Sequence, residues 1–251
     1  MITLSTIIWE KNFDDILSPD SWFFKFSSDL ITTKLLIISN VPSVDKTLKK
    51  IATLHQHHKF DVVWVKDIVD EVKNTYNLSM DESTVGYHYT IPFFVTLEST
   101  NTKFLLCIAN DCMDDIFVDD YFLKQSIEEL ETNPLCFTTG VAWNKNNASV
   151  PFNNKTVGEH EEDELLKTHK IDTMSTNFTY SLGFSDQFWL GATDALKSID
   201  YHLAESYSST YHGPTYGGNS FEKRLVAHHN FKKVYRCICK GNQYYIHDKI
   251  I

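Results

Sequence analysis

Apolar and polar residues alternate in runs that divide the first half of the chain into strands and helices. Residues 2–9 form a first strand-like run, and residues 34–39 (KLLIIS) form a second. The second run is continuously apolar, which is typical of a strand buried on both faces of a parallel sheet. After it, apolar residues recur at helical spacing, at Val44, Leu48, Ile51 and Leu54. This spacing predicts a helix.

Two more strands are predicted in the first half, at residues 62–65 and 104–109. A polar loop over residues 74–86 and a mostly buried helix over residues 89–97 separate them. The succession of strands and helices indicates a parallel α/β sheet with right-handed crossovers. Ligands bind such sheets beyond the carboxyl ends of the strands. Polar or aromatic residues follow the strands there: Trp9, Glu10, Asn40, Asp67, Asn110 and Asp111.

The second half of the chain has a less regular pattern. Its predicted helices are residues 118–131, a helix opened by Thr193, and residues 220–229. Its predicted strands are residues 135–143, 180–184, 187–191, 233–239 and 243–247. The polar stretch 144–167 is predicted to be a mobile excursion, and the tyrosine-rich stretch 207–218 a loop. No repeat or linker divides the chain, so one domain over residues 1–251 is expected.

Composition excludes several classes of protein. The 251 residues, 42% of them hydrophobic, are enough for a sizeable core. With 23 basic against 33 acidic residues, the net charge of −10 argues against non-specific binding to nucleic acid. The acidic excess instead suits a protein that holds cations. No apolar run reaches the ~18 residues of a membrane-spanning helix, so no transmembrane segment is expected.

Cysteine usage and the first residues bear on the cellular compartment. The five cysteines are scattered and odd in number, and the start of the chain lacks a basic segment and a cleavage site. We therefore expect a protein of the reducing cytosol, with peripheral attachment to a membrane left open.

The stretch FLLCIANDCMDD contains the main candidate for chemistry, Asp111. No glycine-rich dinucleotide motif, Walker loop, zinc-protease helix or nucleophile elbow occurs in the sequence, so phosphate binding would need a cation. A carboxylate at the end of a buried strand is a suitable ligand for Mg²⁺. The alternative is a turn in which Asn110 and Asp111 cap the next segment.

The segments ITLSTIIWEKN, KLLIISN, VVWVKD and TKFLLCIANDCMDD, in that order, resemble the nucleotide-sugar half of GT-A glycosyltransferases, most closely the family-2 type. The resemblance implies an α/β fold with a Rossmann-like mixed sheet and helices on both faces. It further implies a nucleotide-sugar-binding half over about residues 1–115 and an acceptor half over about residues 116–251. The donor-binding residues it implies are Trp9, Glu10, Asn40, Asp67 and Asn110.

The same resemblance implies a divalent cation, Mn²⁺ or Mg²⁺, held by Asp111 and His247. The family's Asp-x-Asp motif is replaced here by Asn110-Asp111-Cys112, and cysteine is a soft ligand for such cations. Only Asp111 carries over from that motif. His247, in YYIHDK, corresponds to a late histidine that related enzymes place near the diphosphate or the cation.

Two acidic residues of the second half are candidates for the general base. Glu222, in GGNSFEKRLVAHH, matches the position of the family's base at the start of a helix. The alternative for Glu222 is a capping box with Asn219 that merely starts the helix. Asp186, in FSDQFWLGATDAL, would bind or position the acceptor, or act as the base in place of Glu222. Its alternative is an ordinary turn residue.

The resemblance implies a glycosyltransferase that moves a sugar from a nucleoside diphosphate donor to a hydroxyl group of a saccharide, such as a glycan or lipopolysaccharide. One alternative is a sugar-phosphate nucleotidyltransferase, although IIWEKNFDD lacks the glycine-rich basic loop which that class uses. Another is a non-catalytic carbohydrate-binding protein. The donor sugar and base, the acceptor, the stereochemical outcome and the oligomeric state stay open.

Overall fold

A computed structural model of the chain describes residues 1–84, 86–109, 118–143, 177–181, 184–202, 220–232 and 234–245. The strands are β1 (Ile2–Ile8), β2 (Ile31–Ile38), β3 (Asp61–Trp64), β4 (Phe104–Ile108), β5 (Cys136–Trp143), β6 (Phe178–Ser181), β7 (Phe188–Ala192) and β8 (Tyr235–Tyr245). The helices are α1 (Phe13–Ile16), α2 (Trp22–Lys25), α3 (Val44–Leu54), α4 (Val65–Thr75), α5 (Tyr87–Glu98), α6 (Asp120–Thr132), α7 (Thr193–Lys197) and α8 (Phe221–Lys232).

The strands of the described ranges form one mixed sheet in the order β3-β2-β1-β4-β7-β5-β8-β6. β1 pairs in parallel with both β2 and β4, and β3 extends the parallel part from β2. β7 runs antiparallel to its two neighbours, β4 and β5. β8 is parallel to β5, and β6 is antiparallel to β8. The prediction of a mixed α/β sheet is confirmed.

Strand register aligns the carboxyl ends of the first strands. Ile8 of β1 pairs with Ile38 of β2, and Ile38 pairs with Trp64 at the end of β3. One further bond, from the Ser39 N–H to the Ile8 carbonyl at 2.9 Å, continues the ladder past the strand ends. The residues that follow β1 and β2 therefore start from neighbouring points on one edge of the sheet.

Helices cover both faces of the sheet, as predicted. One apolar cluster joins the sheet to α1, α2, α3 and α6, with Ile51 and Phe122 among its buried members. The other joins the opposite face to α4, α5, α7 and α8, through side chains such as Phe94 and Leu225. Because both faces are covered, all seven residues of β1 are buried, including its polar residues Thr3, Ser5 and Thr6.

Several element boundaries differ from the sequence-based prediction. β8 is a single strand where two were predicted, and its pairing with β5 jumps from Cys239 to Tyr244, so the turn-like residues between form an irregularity instead of a break. The short helices α1 and α2 and the whole of α4 were not predicted. The predicted cap Thr193 is the first residue of α7, and Ala192 occupies the cap position. The predicted excursion 144–167 and loop 207–218 lie outside the described residues.

The described cysteines are buried and form no disulfide with one another: Cys107, Cys136, Cys237 and Cys239. Burial, together with the nearby charge of Asp119, raises the pKa of the Cys239 thiol to about 11. The Cys239 thiol is therefore a neutral core group at ordinary pH. Within the described ranges, every helix is too short or too polar to cross a bilayer.

Candidate functional site

The candidate site lies at the sheet edge where β4 ends and β7 begins. Ile108, the last residue of β4, pairs with Phe188, the first residue of β7. The N–H of Ala109 then donates to the Gln187 carbonyl at 2.7 Å. Asp186 precedes Gln187 in the chain. It therefore lies close to Ala109, the residue that follows β4. This antiparallel contact brings the second half of the chain to the edge of the sheet where β1 and β4 end.

Asp186 is half-buried and carries its negative charge close to the core. Burial raises the pKa of the Cys107 thiol well above its usual range, and the Asp186 carboxylate raises this pKa further. Cys107 belongs to the apolar cluster that α5 and α8 cover. The Asp186 carboxylate is therefore near that face of the sheet, at the site edge, where a carboxylate can serve as a proton acceptor.

Glu222 is the second residue of α8 and is also half-buried. The Ser220 hydroxyl accepts the Lys223 N–H at 3.3 Å, so Ser220 caps the helix. The capping-box alternative pairs Glu222 with Asn219, which lies outside the described residues. Glu222 stands in the first turn, where the positive end of the helix dipole favours its ionised form.

An aromatic cluster joins the start of α8 to the start of β7. Phe221, which precedes Glu222, has its ring 6.0 Å from that of Phe184, two residues before Asp186. The ring of Phe221 is fully buried among aromatic side chains: Phe93, Phe94, Phe184, Trp189 and Tyr201. The two acidic candidates thus flank a pair of packed rings, and the structure brings them to one region.

Trp9, a predicted donor-binding residue, lies in a short turn after β1. Its backbone N–H donates to the Asn12 side-chain oxygen at 3.0 Å, which closes this turn. The indole ring packs edge-on against Tyr89 at the start of α5, with ring centroids 4.9 Å apart, and Tyr89 is 50% exposed. Glu10 and Asn40 are exposed, and they follow β1 and β2 along the chain.

The sequence suggested that Asp67 lies just beyond the end of a strand. In the structure it lies inside a helix instead. β3 ends at Trp64 and α4 begins at Val65, so Asp67 is an exposed residue in the first turn of that helix. The apolar residues of VVWVKDIVDEV are compatible with a strand and with a helix. The local pattern therefore does not specify the boundary between β3 and α4.

The predicted cation ligands Asp111 and His247, and the donor-binding candidate Asn110, lie outside the described residues. In the described part of the chain, His, Cys, Asp and Glu side chains do not come together in threes that would hold a metal ion. The cation site therefore stays a prediction.

Arg236 is a charged residue of this edge that sequence reasoning missed. It lies in β8 and is only 4% exposed, and its Nη2 donates to the Phe188 carbonyl at 3.3 Å. The available signal was an arginine inside the apolar strand pattern YRCIC, where a charge is expected to have a specific reason for burial.

The lowered pKa of His228, a residue of α8, predicts that the free energy of unfolding depends on pH. The His228 ring packs against Phe137 of β5, with centroids 4.9 Å apart, and burial, with the nearby charge of Lys232, lowers its pKa from 6.5 to about 4. Between these two values the unfolded chain binds a proton that the folded chain does not, so the free energy of unfolding should fall as the pH falls through that window. His228→Gln should lose less stability over the same window, as measured by thermal melts. The exposed His57→Gln serves as control and should melt like the wild type at each pH.

The sheet has one antiparallel strand, β7, inserted between the parallel strands β4 and β5. The chain has the GT-A fold. Mouse xyloside xylosyltransferase 1 in its apo form is similar over 100% of this chain and 98% of its own, with a TM-score of 0.55 and 11% sequence identity.

A second similar structure is glucosyl-3-phosphoglycerate synthase from Mycobacterium tuberculosis, in complex with Mn²⁺, UDP and phosphoglyceric acid. The likeness covers 100% of this chain and 72% of that chain, with a TM-score of 0.51 and 11% identity. At this identity the comparison establishes the fold and leaves the reaction to be argued from the site. No protein-family model matches the chain, and no curated protein matches it in sequence.

Proposed function

We propose that the protein is a glycosyltransferase that moves a sugar from a nucleoside diphosphate sugar to a hydroxyl group of a saccharide acceptor. The observation that supports this most strongly is the convergence of the two halves at one edge. The Ala109–Gln187 hydrogen bond and the Phe184–Phe221 ring contact bring Asp186 and the start of α8 to the end of β4. A transfer reaction needs this proximity of donor site and proton acceptor.

On the donor side, Trp9, Glu10, Asn40, Asp67 and Asn110 are proposed to bind the nucleotide. The Trp9–Tyr89 pair offers an aromatic surface next to polar groups, which suits a base and a ribose. Solved structures with this fold include the synthase with bound UDP, so a uridine nucleotide is the first donor to test.

On the acceptor side, Glu222 is proposed to take the proton from the acceptor hydroxyl as it attacks the anomeric carbon. The bond from that carbon to the diphosphate oxygen breaks while the new glycosidic bond forms. Asp186 is proposed to bind and orient the acceptor. Because the first turn of α8 favours an ionised carboxylate, Glu222 is available as a base at neutral pH.

Asp111 and His247 are proposed to hold Mn²⁺ or Mg²⁺. A carboxylate oxygen and a neutral imidazole are acceptable ligands for Mn²⁺, although Mg²⁺ strongly prefers oxygen. The bound cation would neutralise the charge that develops on the departing diphosphate.

Thermal melts with nucleotides test the proposal directly. Binding to the folded chain at 100 times Kd adds about 2.7 kcal/mol, so the melting temperature should rise by about 5–10 °C with the correct nucleoside diphosphate. UDP, GDP, CDP and dTDP are each measured with and without Mn²⁺. If none of them changes the melting temperature under either condition, the transferase proposal is wrong.

Two variants then locate the cation. Asp111→Ala should abolish the part of the shift that depends on Mn²⁺, whereas Asp29→Ala, at an exposed position before β2, should preserve it. A Mn²⁺-dependent shift that survives in Asp111→Ala would place the cation on other residues. A shift with nucleoside triphosphates alone would instead favour a nucleotidyltransferase.

A further inference from the structure

The side chain of Arg236 crosses a neighbouring strand to reach the candidate site. It starts from β8, passes over β5 at Gly140, and donates from Nη2 to the Phe188 carbonyl at the first residue of β7. Its strand neighbours Tyr235 and Cys237 belong to the other apolar cluster, so Arg236 lies on the face that α5 and α8 cover. The Arg236 side chain therefore extends toward the carboxyl ends of β5 and β8. Because β4 runs in the same direction as these strands, its carboxyl end lies at the same edge of the sheet.

Gly140 is the residue that leaves room for this path. A Cβ atom at Gly140 would lie 2.5 Å from Nη2 and 2.8 Å from Nε of Arg236. It would also lie 2.9 Å from the Phe188 carbonyl oxygen, which cannot move as a flexible side chain can. Any other residue at position 140 would thus displace the guanidinium from the place where it now sits.

The guanidinium is hydrogen-bonded to a strand that begins two residues after the acidic candidate Asp186. The first residue of that strand pairs with Ile108 at the end of β4. Glu222 follows Phe221, whose ring lies 6.0 Å from that of Phe184, and the whole chain carries a net charge of −10. A nucleoside diphosphate brings two or three more negative charges to this edge of the sheet, and binding it requires compensating positive charge.

Burying a charged side chain is costly unless it interacts with other polar or charged groups. At this depth a charge is screened little by solvent, so it acts strongly on an anion bound at the edge. Guanidinium groups are also well suited to phosphate, because they present several N–H donors in one plane.

We propose that Arg236 determines the preference of this site for a diphosphate: its guanidinium, held across Gly140 against the Phe188 carbonyl, supplies a fixed positive charge to the diphosphate of the donor. This inference rests on the proposed nucleotide-sugar function. It adds a residue of the last strand, remote in sequence from the donor half, to the recognition of the leaving group.

The test compares a nucleoside, its monophosphate and its diphosphate at constant Mn²⁺ by titration calorimetry. Uridine, UMP and UDP are used first, or the matching set for whichever diphosphate raises the melting temperature most. Arg236→Met should weaken UDP binding by about tenfold or more, with a smaller loss for UMP and less than twofold for uridine. Gly140→Ala keeps the charge of Arg236 but displaces the guanidinium. It should therefore also weaken binding most for UDP, less for UMP and least for uridine. Arg236→Lys should recover part of the UDP affinity.

Lys197→Met is the matched control. Lys197 is another cation held by backbone carbonyls, those of Glu98 and Thr100 at 3.2 and 3.0 Å, but it lies at the opposite edge of the sheet. Its loss should leave the ratio of UDP to UMP affinity unchanged. If Arg236→Met does not fold, the comparison rests on Gly140→Ala and Arg236→Lys.

Two results would overturn the inference while leaving the proposed function standing. One is an unchanged ratio of UDP to UMP affinity in folded variants at positions 236 and 140. The other is an equal loss for uridine, UMP and UDP, which would indicate a purely structural arginine. Failure of the wild type to bind any nucleotide is a different result, and it would overturn the proposed function together with the inference.

Discussion

With Glu222 replaced by Gln, the rate of sugar transfer should fall by about 10²- to 10⁴-fold, because an amide cannot accept the proton of the acceptor hydroxyl. The substitution preserves the shape of the side chain and the Ser220 cap of α8, so the fold and the nucleotide affinity should not change. The rate is measured as release of the nucleoside diphosphate from the sugar donor, with saccharides or water as acceptor.

Glu71→Gln, at an exposed position of α4, is the matched control for that variant and should retain the wild-type rate. Asp186→Asn separates the two acidic candidates. If Asp186 orients the acceptor, its loss should raise KM for the acceptor more than it lowers kcat. A drop of about 10²-fold or more in kcat for Asp186→Asn, with a nearly normal Glu222→Gln, would transfer the role of base to Asp186. Normal rates in both variants would contradict the proposed acceptor side altogether.

Phe221→Ala should be the most destabilising single change at the site. The ring is fully buried, stacks on Phe93 with centroids 5.1 Å apart, and lies edge-on to Phe94 at 5.2 Å. Removing such a ring from an aromatic core costs about 3–5 kcal/mol, through lost burial and the cavity that remains. For a chain of this length the melting temperature should fall by about 6–20 °C.

The same helix supplies the control for Phe221. Phe231 is a phenylalanine near the end of α8 and is 50% exposed, so Phe231→Ala should change the free energy of unfolding by about 0.5 kcal/mol or less. Equal destabilisation by the two variants, measured by denaturant titration, would contradict the aromatic cluster described around Phe221. Nucleotide binding to Phe221→Ala below its melting temperature would show that the donor half tolerates a loosened α8.

The parallel half of the sheet was predictable because each strand is a local run of apolar residues ending in polar ones. KLLIISN and FLLCIAN have this form, and β2 and β4 are found there with shifts of up to three residues in their limits. Mixed patterns were harder to interpret. VVWVKDIVDEV fits a strand and then a helix, and α4 was missed because its apolar residues overlap the strand signal.

The candidate site was predictable only where a residue follows an element boundary. Trp9 and Glu10 follow β1, Asn40 lies two residues beyond β2, and Glu222 lies in the first turn of α8, which the local sequence suggests. Arg236 and Gly140 are separated by almost a hundred positions along the chain, and each belongs to an ordinary-looking strand. Their relation appears only when β8 lies beside β5.

The sequence by itself determined that the runs of β2 and β4 are buried, that a helix follows β2 with Ile51 and Leu54 toward the core, and that polar groups follow these strands. The reason is that these properties depend on neighbours within a few residues, through the periods of the helix and the strand. It did not determine the whole buried face of that helix, because Val44 and Leu48 of the predicted stripe are exposed. The tertiary structure alone decided that β7 lies antiparallel between β4 and β5, so that Asp186 meets the end of β4, and that a buried arginine reaches the same edge. Strand pairing depends on the packing of distant segments against one another, and no local pattern of residues specifies it.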